Sequence, residues 1–372
     1  MKTKLTKAKP GTKLSQWAYR LVIGVLVGTS LAACGGGTAP PTDPKAESES
    51  RLDTIRQRGE IICGVSGKLP GFSFLAEDGT YSGIDADMCR AVAAALFGDA
   101  DAVTFREVSA TERFTALQTG EVDLLSRNTT WTLNRDTALG LEFAPVVFYD
   151  GQGLLVRRAD DIDSFEDLAD KAICLQAGTT TELNIADRMR GISYSPLVFQ
   201  DADEVYAAYE ADRCQAVTTD RSGLVSRRSQ LADPEAHVIL DETISKEPLA
   251  PAVAAGDAKW LDIVRWSVLA TIEAEELDIT SDNISATIEA EQQAMKVEEN
   301  NPLVSRFLGV EGALGQDIGL EADFAAQIIQ QVGNYGEIYD RNLGPQTPLN
   351  LPRGQNQLWT QNGGLLYSPP FR

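Results

Sequence analysis

The sequence predicts an α/β protein built as two lobes of similar plan, and three observations predict it. Ile61-Ile62-Cys63-Gly64-Val65-Ser66-Gly67 and Ala172-Ile173-Cys174-Leu175-Gln176-Ala177-Gly178 are short apolar runs ending in glycine, the pattern of buried strands. Each is followed by residues at helical spacing behind a capping side chain. Each lobe then repeats a helix and a strand, Val122-Asp123-Leu124-Leu125-Ser126 in the first and Gln215-Ala216-Val217-Thr218 in the second. Strands alternating with helices call for parallel pairing, and ligands of such sheets collect at the carboxyl ends of strands.

Before the first lobe, Lys2, Lys4, Lys7, Lys9, Lys13 and Arg20 precede an apolar run, Leu21 to Leu31, that closes on Leu31-Ala32-Ala33-Cys34. Residues 1–33 therefore read as a secretory signal peptide, too short in its apolar part for a permanent span. A cysteine straight after Leu-Ala-Ala resembles the lipobox of bacterial lipoproteins, which makes Cys34 the expected site of acylation, a palmitate-type anchor. An ordinary signal peptide with an incidental cysteine is the other reading. Residues 34–50 are rich in Gly, Pro and polar residues and form a flexible tether.

The 33 Lys and Arg, less the six in the leader, leave 27 against 54 acids, a formal −27 that excludes nucleic acid as a partner. Cys63, Cys89, Cys174 and Cys214 remain, an even number suited to two disulfides in an exported chain. Three pairings are possible; local pairing, Cys63 with Cys89 and Cys174 with Cys214, would put one bridge in each lobe.

In order along the chain, Asp85 reads as the cap of a helix carrying Met88, Val92, Ala95 and Leu96 up to Gly98. Ser109-Ala110-Thr111-Glu112 reads as a capping box ahead of Phe114 and Leu117, with a stop at Gly120. Asp201 can cap the helix containing Val205, Ala208 and Tyr209. Later, Trp260, Ile263, Val264, Val268 and Ile272 form one apolar stripe and Phe324, Ile328, Ile329 and Val332 another, both read as core. Leu343 to Arg372 is expected to be an irregular tail on the surface of a lobe.

Signals of catalysis are absent. The single histidine, His237, sits in a turn-like stretch and is expected at the surface; no Gly-x-Ser-x-Gly elbow, P-loop or paired CxxC occurs, so no metal and no cofactor are expected. What stands out is polar clustering at strand ends: Ser126-Arg127-Asn128-Thr129-Thr130-Trp131-Thr132-Leu133-Asn134-Arg135, Gly178-Thr179-Thr180-Thr181-Glu182 and Thr218-Thr219-Asp220. A guanidinium can grip a carboxylate, a helix start offers N–H groups to the same anion, and an aspartate can receive an ammonium, which together suit a zwitterion. Taken singly, Arg135 could be a surface ion pair, Thr179 to Thr181 simple helix caps, and Asp220 the cap of a helix starting near Ser222.

Cys63-Gly64-Val65-Ser66, Leu69-Pro70-Gly71-Phe72, Arg113-Phe114-Thr115-Ala116-Leu117-Gln118, Leu125 through Trp131, Tyr149-Asp150-Gly151-Gln152-Gly153, Ala177 through Asn184, Ile244-Ser245-Lys246-Glu247-Pro248-Leu249 and Asn334 through Asn342 closely resemble the general L-amino-acid-binding proteins of polar amino-acid ABC transporters, bacterial extracellular solute-binding family 3. The resemblance runs from about Arg51 to Arg372. It implies a two-lobed periplasmic binding protein-like fold (type II), with mixed sheets flanked by helices and two hinge crossovers near Phe148 to Gly153 and Ile244 to Ala252. Residues 51–148 and 246–342 would make lobe 1 with its C-terminal helices, residues 149–245 lobe 2, and 343–372 the tail. Thr132-Leu133-Asn134-Arg135 matches the family's Thr-x-x-Arg motif, so Arg135 is expected to hold the α-carboxylate with help from Thr130 and Thr180, and Asp220 the α-ammonium. Thr179, Asn128 and Ser66 belong to the expected site, and Leu69, Phe72 and Trp131 to the lining of a roomy pocket that favours polar and acidic L-amino acids. The implied protein is a monomeric, lipid-anchored periplasmic binding component that serves inner-membrane permease subunits, and not an enzyme. The rival reading is a periplasmic amino-acid or prephenate-type dehydratase or other lyase on the same fold.

Overall fold

A computed structural model describes residues 50–372; the signal peptide, Cys34 and most of the tether lie outside the described residues. Two five-stranded sheets organise the chain. The first runs in the order Val103–Glu107, Ile61–Val65, Leu124–Leu125, Ala252–Ala254, Leu141–Phe143. Its first three strands are parallel, with Cys63 beside Phe105 and Leu124, while Ala252–Ala254 runs antiparallel to both neighbours. The second runs Ser195–Phe199, Ala172–Gln176, Ala216–Asp220, Gln152–Arg157, His237–Ile239, and here Gln152–Arg157 is the antiparallel member. The sheets are therefore mixed, and they make two lobes of similar plan.

The strand Ile61–Val65 is an apolar run because helices cover it. Ile84–Phe97 is buried along most of its length and packs on Ala258–Glu276 and Phe324–Gln331, the helices carrying the two predicted stripes. Alanines 91 and 93–95 let these axes approach closely. Trp260, fully buried, donates from Nε1 to the carbonyl of Asp123 at 2.9 Å, which ties the later helices to the sheet. The second sheet has smaller apolar clusters on its two faces, one around Phe165, Ile173 and Ile185 and one around Tyr209, Leu224 and Val217. Cys63 is bonded to Cys89 and Cys174 to Cys214, one bridge to each sheet. Closing loops of this size removes about 3–4 kcal/mol of unfolded-state entropy per bridge.

Two strands link the sheets. Phe148–Asp150 and Glu247–Leu249 pair antiparallel, with Tyr149 opposite Pro248. On its outer side Pro248 has no N–H to give, but its carbonyl accepts the Trp131 N–H at 2.8 Å, and an antiparallel bridge between Thr130 and Leu249 ties the ribbon to the turn after Leu124–Leu125. Against its other edge, the side chain of Asn356 accepts from the Tyr149 N–H at 2.6 Å and donates to the Tyr149 carbonyl at 3.2 Å. The tail is irregular, as its composition suggests, apart from one short turn, Gly354–Asn356, and a bridge between Leu358 and Leu366, yet it is well docked: Phe371 is buried edge-on to Trp266 and Phe307.

Three local expectations change. Gly83, not Asp85, caps Ile84–Phe97, and Asp85 is buried one position inside the helix. Ser109 and Glu112 do meet, Oγ to Oε2 at 2.8 Å, but in a turn before a short helix, Arg113–Gln118. His237 starts an edge strand and is half-buried, with Nδ1 at 2.8 Å from the Tyr209 hydroxyl, because Tyr209 needs a partner for its buried end. Asp201 caps Ala202–Glu210, accepting from the Asp203 N–H at 2.8 Å.

Candidate functional site

The carboxyl ends of four strands face one another across a cleft. Ser66 follows Ile61–Val65, and the turn from Ser126 follows Leu124–Leu125. Opposite them, Thr179 and Thr180 open the helix Thr180–Arg188 after Ala172–Gln176, and Asp220 ends Ala216–Asp220. The turn at Ser126 is fixed by Asp85, whose Oδ2 accepts the Asn128 N–H at 2.8 Å while Oδ1 lies 3.4 Å from Ser126 Oγ. Asn128 is thereby held at φ 32°, a left-handed conformation that asparagine tolerates better than most residues. This is why Asp85 is inside the helix rather than at its cap.

The motif Thr132-x-x-Arg135 has a local cause: Thr132 caps the helix Leu133–Thr137 by accepting the Arg135 N–H at 3.3 Å. The Arg135 guanidinium is then laid over the Phe114 ring at 5.0 Å, with Nη1 donating to the Thr130 carbonyl at 2.8 Å, and it is 6 % exposed. Thr130 and Thr180, from opposite sides of the cleft, bring their hydroxyls to 3.4 Å. Asn128 Nδ2 reaches Asp220 Oδ2 at 3.5 Å. Asp220 stands at the N-cap position of the helix Arg221–Arg228, but its side chain makes no cap bond; Asp150 supplies it, accepting the Ser222 N–H at 3.2 Å and the Ser222 hydroxyl.

Glu247, on the second crossing strand and read from the sequence only as part of a motif without a site role, sits at the centre of this arrangement. Its Oε2 accepts from Thr130 Oγ1 at 2.6 Å and Thr180 Oγ1 at 2.9 Å, and its Oε1 from Ser245 Oγ at 2.6 Å and Asn184 Nδ2 at 2.7 Å. A carboxylate has room for about four donors, and here it meets four. The one signal available was an acid directly before Pro248 in the crossing Ile244-Ser245-Lys246-Glu247-Pro248-Leu249. Arg113, buried with Nη1 at 3.4 Å from Thr129 Oγ1 and 3.5 Å from the Arg127 carbonyl, was likewise passed over.

Burial dominates the electrostatics. It pushes Asp220 well above the usual carboxylate range, reinforced by Asp150 and Glu247. It raises Asp150 to about 6 and Asp85 to about 6, in the latter case against the pull of the Asn128 N–H and Arg127. Arg113 and Arg135 are lowered by the same desolvation.

Beside these groups lies a cavity of about 200 Å³ between the two sheets, lined by Ser66, Leu69, Asn128, Arg127, Thr219 and Arg227 among others. Of the residues named from the sequence, Ser66, Leu69 and Asn128 line this cavity. Thr179 turns its hydroxyl back to the Gln176 carbonyl at 2.8 Å, away from a ligand role through Oγ1. Phe72 and Trp131 do not line this cavity. Phe72 is 1 % exposed and edge-on to Phe148 at 5.2 Å in the core, which is the cheapest place for an aromatic ring, and Trp131 lies outside it, stacked on Phe143 with Nε1 donating to Asp136 at 2.7 Å.

The pattern for the bacterial extracellular solute-binding proteins, family 3, matches residues 61–285. The chain is 48 % identical over 346 residues to the general L-amino acid-binding periplasmic protein AapJ of Rhizobium johnstonii, covering 92 % of this chain and 98 % of that one. It is 45 % identical over 329 residues to the glutamate/glutamine/aspartate/asparagine-binding protein BztA of Rhodobacter capsulatus, covering 88 % and 95 %. Among solved structures, a periplasmic binding protein of an ABC transporter from Brucella ovis with glutathione bound is similar at TM-score 0.81 and 47 % identity, covering 86 % of this chain and 99 % of that chain.

Proposed function

The chain belongs to the bacterial extracellular solute-binding proteins, family 3, and on that premise we propose that it captures free L-amino acids, polar and acidic ones included, between its two lobes and delivers them to the permease of an ABC importer. It is a periplasmic solute-binding protein and not an enzyme, so the lyase alternative is set aside. The observation that carries the ligand reading is that Arg135, buried on the helix Leu133–Thr137, and Asp220, buried at the end of Ala216–Asp220, lie on opposite sides of one cleft, near enough for each to feel the other's charge. Arg135 and the free N–H groups at the start of Thr180–Arg188 take the α-carboxylate; Asp220 takes the α-ammonium. Pairing both ends with opposite charge is the inexpensive way to desolvate a zwitterion.

A count of protons refines the expected role of the two threonines. Each hydroxyl has one hydrogen, and Thr130 and Thr180 both give theirs to Glu247. Their oxygens are left as acceptors, which suits the ammonium end of a ligand rather than its carboxylate.

Lobe 1 comprises residues 51–148 and 246–342, lobe 2 residues 149–245, and residues 343–372 brace lobe 1. The paired crossing strands and the return of Ala252–Ala254 to the first sheet support this division. The crossings act as hinges, and the ligand favours the closed state by the contacts it makes with both lobes at once. Removal of residues 1–33 and acylation of Cys34 anchor a monomer to the membrane; mass spectrometry of the mature N-terminal peptide tests this.

Calorimetric titration with a panel of L-amino acids tests the capture reading. Several polar amino acids are expected to bind, and Arg135→Ala and Asp220→Ala each to weaken them by at least about a hundredfold. Absence of binding by the unaltered protein, or normal binding by both variants, overturns it.

A further inference from the structure

Of the charged side chains lining the interlobe cavity, all but Arg127 have a side-chain partner among the described residues. Lys68 Nζ lies 3.2 Å from Asp201 and 2.9 Å from Asp203. Arg227 holds Asp203 at 2.7 Å and the Lys68 carbonyl at 3.2 Å. Glu107 is exposed to solvent and accepts the Tyr81 hydroxyl at 3.2 Å.

Arg127 differs. It is 8 % exposed, and it donates only through Nε, to the Val108 carbonyl at 2.8 Å. Among the described residues no acceptor meets Nη1 or Nη2. Asp85, which lowers the cost of burying this charge, spends its own oxygens on the Asn128 N–H and Ser126 Oγ. The terminal nitrogens of Arg127 are not sealed in the interior but open on the cavity, where they are placed to receive an acceptor that the protein does not supply. The residue borders the cavity, and the Nε bond fixes the plane in which its two terminal nitrogens lie.

We infer that Arg127 reads the ligand's side chain, selecting L-amino acids that carry a side-chain carboxylate or carbonyl oxygen, the acidic and amide class, over apolar side chains of the same length. The inference rests on the capture reading above and adds to it a residue and a substrate class. A planar fork of donors receives two oxygens of a carboxylate or one oxygen of an amide, and an alkyl chain leaves it unpaired. A site built to hydrogen-bond a polar group discriminates strongly against the analogue that lacks it. The competing account makes Arg127 only the internal counter-charge of Asp85, in which case its loss affects every ligand alike.

The test is calorimetric titration of the purified protein with L-glutamate, L-glutamine and L-norvaline, on the unaltered chain and on Arg127→Met. The unaltered chain is expected to bind glutamate or glutamine about ten- to a hundredfold more tightly than norvaline, and Arg127→Met to shrink that ratio to within about threefold. An unchanged ratio, or no preference to begin with, overturns the inference while leaving the capture reading intact; failure of all three ligands on the unaltered chain overturns both. Should Arg127→Met not fold, a crystal structure of the unaltered protein with the tighter of glutamate and glutamine decides. A ligand side-chain oxygen within about 3.2 Å of Arg127 Nη1 or Nη2 supports the assignment. A side chain directed elsewhere sinks it.

Discussion

Across the cleft, the face built on the first sheet presents Arg113, Arg127 and Arg135, whereas the second sheet and the crossing strands present Asp150, Asp220 and Glu247. The two faces also differ in how they are held. The arginines are fixed by backbone carbonyls of their own lobe, those of Arg127, Val108 and Thr130. Glu247 is held by side chains that belong to both sides of the cleft. The cationic face is thus held from within one half of the molecule, while the acidic face draws its partners from both. A ligand with separated charges would bridge the two.

The largest expected break of this contrast comes from Glu247→Leu. It strands four donors that had one acceptor, which costs about 3–5 kcal/mol of stability, read as a lower urea midpoint at constant slope. A loss under about 1 kcal/mol means that water or the ligand, not Glu247, satisfies those donors.

Asp85, an acid placed within the cationic face, sharpens the comparison through pH. Burial holds it at about 6 in the folded chain against 3.8 ordinarily. Between those values the folded protein keeps a proton that the unfolded chain has released. Its contribution to stability is therefore whole below about pH 4 and is lost as pH rises through 6, up to about 3 kcal/mol. Asp150 shifts in the same direction, so the informative quantity is the difference between variants. In Asp85→Asn, the fall in stability from about pH 4.5 to about pH 7.5 is expected to be smaller by roughly 2 kcal/mol; parallel profiles refute the assignment.

The smallest effect is expected at the rim. Trp131 stands in the middle of the polar motif but is 41 % exposed. Trp131→Ala should change amino-acid affinity by less than about threefold, and a loss beyond tenfold places the indole in the cleft after all.

How much of this was legible follows the range of the interactions. Strands such as Ile61–Val65 and Ala172–Gln176, the helical stripes around Trp260 and Phe324, and the Asp201 cap depend on neighbours a few residues away, and the sequence displays them. Thr132 capping the helix of Arg135 is local as well, so that part of the site was readable. Glu247 was not, because three of its four donors lie 63, 67 and 117 residues away. Asp85 looked like a cap because an aspartate before an apolar helix usually is one, and its true partner, the Asn128 N–H, is 43 residues distant. Phe72 was drawn into the pocket by its motif, and packing against Phe148 claimed it instead.

The amide of Asn356, plugged into both the N–H and the C=O of Tyr149, turns the C-terminal stretch into a peg through the connector that joins the two halves. Anyone converting this protein into an optical sensor inherits that peg. A fluorophore or partner domain attached close to residues 351–356 reports on, and interferes with, the connector itself, while one attached to the outer helix Ile284–Met295 leaves it alone. Hydrogen exchange at the Tyr149 amide gives the designer a local gauge of whether the peg is still seated.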